Sequence, residues 1–185
     1  IMFSKETYTK RREALRSKLQ PGSLVLMPGN SEAPSNYPGN TYHFRQDSTF
    51  LYFFGLELPD MVGVMDVDDG QDYLFADDVT MDDIIWMGPQ PSVNELGAKA
   101  GIANTKPLAD LQEMITLAVR KGRRVHFLPP YRADKKILIG SLLGITPQAV
   151  PNYVSIELAL AVVSLRDKKS EEEIAEIEKA CEIGY

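Results

Sequence analysis

Apolar residues along this chain recur at helical spacing, bunch into short unbroken runs, or fall away altogether. Ser4 stands as a cap ahead of a helix predicted to run to about residue 19, where Pro21-Gly22 stops it. Lys10, Arg11, Arg12 and Arg16 lie on its polar face, a pattern that reads as a solvated helix surface rather than a binding patch. Residues 23–27, SLVLM, predict a short buried strand. Residues 28–41, PGNSEAPSNYPGNT, hold three prolines and predict a loop, unusually long for a structureless connection in a compact domain. The aromatic run after it alternates: Phe50, Tyr52 and Phe54 against Leu51 and Phe53, which predicts a strand apolar on both faces and closed by Gly55. Residues 62–67 and 72–76 predict a strand pair joined by the Asp69-Gly70 turn.

Farther along, helical segments are predicted over 81–87, 92–100 and 107–120. The last has Leu108, Leu111, Ile115 and Ala118 at helical spacing and Gly122 where a left-handed cap would end it. A strand over 124–128 stops at Pro129-Pro130, a helix follows over 131–143, a short edge strand over 145–151, and a helix over 155–165. Strands and helices interleave, with adjacent strands early in the chain. That argues for an α/β fold with a mixed sheet flanked by helices. Residues 170–185, SEEEIAEIEKACEIGY, open with a capping box of Ser170 and Glu173 and carry Ile174, Ile177 and Cys181 on one stripe. With nothing after it to bury that stripe, the segment reads as the first helix of a second domain. The expected division is therefore a domain over 1–165 and, over 166–185, a junction through LRDKK and the start of another.

Composition narrows the function classes. The 185 residues are 44% hydrophobic and 25% charged, with net charge −6 and pI ≈ 5.0. An acidic balance argues against a general nucleic-acid binder. No apolar run reaches the roughly 18 residues of a bilayer span, and the amino end has no apolar signal core. Cys181 is the single cysteine, so no intramolecular disulfide forms, and a reducing cytoplasm is the expected location.

Few side chains are spaced for chemistry. DVDDGQD, residues 66–72, has its glycine fifth rather than sixth and lacks a glutamate at twelve, so it reads as a hairpin turn and not a calcium loop. Asp77, Asp78, Asp82 and Asp83 surround a helix start, where carboxylates favour the positive helix end. His43, Asp47 and Ser48 have the residue types of a nucleophilic triad, but their spacing does not bring them together. Arg45 offers a planar fork that could clamp a carboxylate or loop carbonyls, two residues from Asp47. His126, inside VHFL, reads as a bonded core residue. There is no H-E-x-x-H, C-x-x-C, G-x-G-x-x-G or P-loop motif. Trp86, the only tryptophan, reads either as core or as a partly exposed contact at the end of its short helix.

Four stretches together resemble the amino-terminal domain of the Xaa-Pro aminopeptidase (aminopeptidase P) family. They are YTKRREALRSKLQPGSLVLMPG, YHFRQDSTFLYFFGLELPDMVGVM, DDIIWMGPQPSVNELGAKAGI and LRDKKSEEEIAEIEKACEI, the last shared with prolidases and creatinases. The resemblance implies a creatinase-like, loosely ribonuclease-H-like amino domain. It implies a separate catalytic domain of pita-bread fold, which binds two divalent metals, typically manganese, and cleaves Xaa-Pro peptides. None of that domain's ligands maps onto this chain. No catalytic residue and no metal ligand is therefore assigned here, and the chain alone is expected to be inactive. The family's amino domain narrows access to the active site and builds homo-oligomer contacts. Trp86 falls on a family tryptophan that reaches toward a neighbouring subunit's active site, which implies a pocket or interface role. Arg45, Gln46 and Asp47 then read as a brace for the loop before the aromatic segment. Two other readings stand beside this one: a peptide- or protein-binding module on the same scaffold, and the amino domain of a prolidase or creatinase-like hydrolase.

Overall fold

The computed structural model describes residues 1–184; Tyr185, the last residue of the predicted terminal helix, lies outside the described residues. Along the chain run α1 (Lys5–Ser17), β1 (Ser23–Pro28), β2 (Pro34–Tyr37), β3 (Asn40–Thr41), α2 (Ser48–Phe54), β4 (Val62–Asp66) and β5 (Asp72–Phe75). They are followed by α3 (Met81–Met87), α4 (Val93–Lys99), β6 (Asn104–Lys106), α5 (Leu111–Arg120), β7 (Arg124–His126), α6 (Ala133–Leu143), α7 (Ile156–Asp167) and α8 (Glu171–Ile183). Five strands form a mixed sheet in the order β6-β5-β4-β1-β7. β1 lies parallel to β7 and antiparallel to β4, with Leu24 opposite Val125 on one side and Asp66 on the other. β4 and β5 are antiparallel, and β5 and β6 parallel.

Side-chain alternation splits the core into two layers. Val25, Met27, Met65 and Leu74 pack with Leu15 of α1, Phe50 and Phe54 of α2, Leu96 of α4 and Leu158 of α7. Leu24, Leu26, Val62, Val64 and Phe75 face the other way, onto Leu111 and Ile115 of α5 and Ile139 and Leu142 of α6. Helices thus cover both faces, which is why β1 and β4 are buried at every position. The hairpin between β4 and β5 turns at Gly70, whose φ of 67° lies in the left-handed region. Arg123 clamps that turn, donating to Asp66 Oδ1 at 2.6 Å and pairing with Asp68 at 2.8 Å. Arg12 is fully buried and joins three elements, donating to Asp72 (2.8 Å), the Phe53 carbonyl (2.8 Å) and the Ala100 carbonyl (2.7 Å).

The predicted aromatic strand is a helix. Asp47 Oδ1 accepts from the Thr49 and Phe50 amides at 3.0 and 2.9 Å, and Gly55 closes the helix at φ 68°. Over so short a run both periods fit. The helical one puts Phe50, Phe53 and Phe54 together on the buried side and leaves Leu51 and Tyr52 at its margin. Gly63 on β4 makes room for this packing, since a Cβ there would run into the Phe54 ring. The predicted edge strand over 145–151 is instead a turn leading into a 3-10 segment at Val150–Tyr153, with proline inside it. The predicted loop over 28–41 contains the exposed two-stranded ribbon of β2 and β3. β6, three residues at the sheet edge, had no apolar run to announce it.

Candidate functional site

β1 and β7 end side by side, and the chain leaving each of them meets the returning segment 42–47 there. Gln46 is buried at this junction with its amide saturated. Its Oε1 accepts from the backbone amides of Asn30 (2.8 Å) and Asp47 (3.0 Å). Its Nε2 donates to the carbonyls of Leu56 (2.9 Å) and Leu58 (3.0 Å). Gly29 permits the approach: a Cβ there would stand 3.0 Å from both Gln46 Oε1 and the Met61 carbonyl. Asn30, 5% exposed, donates through Nδ2 to the Arg45 carbonyl at 2.9 Å and to the Tyr131 hydroxyl at 3.4 Å. Its Oδ1 is buried without a hydrogen-bond partner among the described residues, a condition that costs about 1–3 kcal/mol when nothing satisfies it.

Asp47 works with both oxygens. Oδ1 caps α2, while Oδ2 accepts from Lys135 Nζ and from the Tyr131 hydroxyl, each at 3.1 Å. Burial alone would raise the Asp47 pKa. The Phe50 amide, the Lys135 ammonium and the Tyr131 hydroxyl outweigh it and hold the carboxylate below its ordinary range. Of the three residues read as a brace, Gln46 and Asp47 make these contacts through their side chains. Arg45 contributes its backbone carbonyl, and its exposed guanidinium makes no hydrogen bond or ion pair among the described residues. Tyr131 and Lys135, which no local pattern singled out, hold Asp47, while the Arg45 guanidinium, read as a fork for a carboxylate or loop carbonyls, holds neither among the described residues. Above this network opens a cleft of about 400 Å3, lined among others by Asn30, Ser31, His43, Arg45, Tyr131 and Arg132.

The second feature is α3. Thr80 and Asp83 form a capping box, with Asp83 Nα donating to Thr80 Oγ1 at 3.2 Å and Thr80 Nα to Asp83 Oδ2 at 3.0 Å. The following turn is tied down by the Val93 amide, which donates to Asp78 at 2.7 Å. None of the helix is buried. Met81, Ile85, Trp86 and Met87 all stand in solvent, Trp86 at 87% exposure. The core alternative for Trp86 therefore falls. The helix is thus capped at its start and leaves large apolar side chains exposed.

The remaining candidates form no catalytic set among the described residues. His43 and Ser48 share the cleft wall with no hydrogen bond between them or to Asp47 among the described residues. His126 is 1% exposed, its Nδ1 2.5 Å from Ser155 Oγ, and Ser155 caps α7 through the Leu158 amide at 3.1 Å. Among the described residues no three His, Cys, Asp or Glu side chains converge as metal ligands. No described helix is long and apolar enough to cross a membrane.

The family model for the aminopeptidase P N-terminal domain matches residues 8–126. The chain belongs to that family. It is 27% identical to the Xaa-Pro aminopeptidase of Escherichia coli over 98% of its own length and 43% of that protein's. It is 29% identical to the human Xaa-Pro dipeptidase over 53% of this chain and 20% of that one. A histidine-to-alanine variant of Escherichia coli aminopeptidase P superposes with a TM-score of 0.79 at 26% identity, covering 99% of this chain and 43% of that one. The domain thus shares that enzyme's amino-terminal fold, and it spans less than half the length of these relatives.

Proposed function

We propose that this chain is the non-catalytic amino-terminal domain of a Xaa-Pro aminopeptidase, an enzyme that removes the first residue from peptides with proline second. The observation that supports this reading is the likeness to Escherichia coli aminopeptidase P, which extends over nearly the whole chain. In this reading the hydrolytic chemistry belongs to a separate domain carrying two divalent metals, manganese by family resemblance. The residues described here position and enclose. α3 presents the exposed Trp86 as an apolar wall toward the peptide site of a neighbouring copy. Asp47 and Gln46 hold the 28–47 segment at a fixed height over the sheet. Such a wall excludes water from the reacting peptide and narrows the entrance.

The match to the human Xaa-Pro dipeptidase supports a second reading, a prolidase that accepts dipeptides alone. A longer protein carrying this chain separates the two when offered an Xaa-Pro dipeptide and an Xaa-Pro tripeptide. The aminopeptidase reading expects release of the first residue from the tripeptide. Cleavage confined to the dipeptide would replace it with the prolidase reading.

A further inference from the structure

Open α/β sheets gather ligands outside the carboxyl ends of their strands, and the cleft above Asn30 lies at that end of the parallel pair β1 and β7. Its volume of about 400 Å3 is in the range of small-molecule sites. Its charge is one-sided: Arg45 and Arg132 line it beside the His43 ring, and no Asp or Glu does. Arg132 pairs with Asp134 at 3.2 Å, while Arg45 has no ion pair among the described residues. Two arginines around one cleft stand out in a chain of net charge −6. Ser31, Ser48 and Tyr131 add hydroxyls to the lining. The floor is built rather than incidental, because Gln46 and Asp47 fix it from below.

A single exposed arginine is ordinary. Two guanidinium groups and an imidazole around one concave, hydroxyl-lined surface match an oxyanion, which guanidinium groups bind through paired N–H donors. We propose that this cleft binds a small oxyanion, either the free carboxylate of a peptide or organic acid, or phosphate. Arg45 and Arg132 would be its principal partners. The site is separate from α3 and does not depend on the peptidase reading.

The test is a titration of the 185-residue chain followed by amide NMR. The probes are citrate, inorganic phosphate, an acetylated dipeptide, and the same dipeptide as its carboxy-terminal amide. Saturable shifts of the Asn30 side-chain amide and the Ser31 and Ser48 backbone amides are expected with at least one oxyanion. Binding should weaken about tenfold or more in Arg45→Ala/Arg132→Ala, equivalent to about 1.4 kcal/mol. It should persist in Arg124→Ala, an exposed arginine that does not line this cleft. Response to the dipeptide acid but not its amide assigns a chain terminus as the source, and response to phosphate alone assigns phosphate. No saturable shift with any probe up to about 10 mM, a weak limit on the affinity scale, would overturn the proposal. So would equal binding by a folded double variant.

Discussion

Asp47 caps α2 with one oxygen and holds Lys135 and Tyr131 with the other. The two tasks are separable by substitution. Asp47→Asn keeps a capping oxygen but removes the charge beside a nearly buried ammonium, and it is predicted to cost about 2–3 kcal/mol, since leaving one partner of a buried pair alone is destabilising. Asp47→Ala loses the cap as well and should cost about 1 kcal/mol more. Urea unfolding of the three proteins measures both; equal stability of Asp47→Asn and the parent would mean that the Lys135 contact contributes nothing. Gly55→Ala should be harsher than an ordinary surface change. The residue would be forced into left-handed backbone at φ 68°, with its Cβ against the Tyr8 ring, so about 2 kcal/mol or more is expected. Arg45, Gln46 and Asp47 were visible as a polar group in the sequence, but their partners were not. Tyr131 and Lys135 lie 84 and 88 residues from Asp47, and only the closure of β7 against β1 brings them there.

The helix α3 has caps but no core. Removing Trp86 should therefore leave the domain's unfolding midpoint unchanged within about 0.5 kcal/mol, the range of surface substitutions. In a longer, active protein Trp86→Ala should lower kcat/KM for an Xaa-Pro tripeptide about tenfold, as losing an aromatic anchor at a contact does. Unchanged kinetics together with an unchanged midpoint would remove Trp86 from the peptide site. Elements with strong local punctuation were legible from the residues: the Ser4 and Ser170 caps, the Asp69-Gly70 turn, and the helix ended by Gly122 at φ 70°. α2 was misread because alternation and helical spacing coincide over seven residues; the deciding signals were the Asp47 cap and the left-handed Gly55 on either side. β6 was missed because three residues of an edge strand, Asn104–Lys106, carry no apolar pattern. The cleft was beyond sequence reading altogether, since its walls come from segments that meet only at the end of the sheet.

At the scale of the whole molecule, the response of stability to acid follows from a few buried or half-buried titratable groups. Burial lowers the His126 pKa, with Arg124 adding to the effect and Glu157 opposing it. An imidazole lowered in the folded state is protonated first in the unfolded chain. Its contribution is therefore complete above the ordinary value of about 6.5 and declines as pH falls below it. Asp66, like Asp47, is raised by burial but lowered further by its donors, chiefly Arg123. Carboxylates held low contribute stability above their ordinary value of about 3.9 and lose it as pH falls through the folded value. Calorimetric midpoints should thus fall in two stages on acidification, and His126→Gln should remove the first stage only. A midpoint that stays flat through the first stage would contradict this assignment. We propose that this domain supports a peptidase whose chemistry lies in another domain. The deciding measurement is hydrolysis of an Xaa-Pro tripeptide with added manganese, compared between this chain and a longer protein carrying it. Cleavage by the longer protein alone is the predicted result, and cleavage by this chain alone would contradict it.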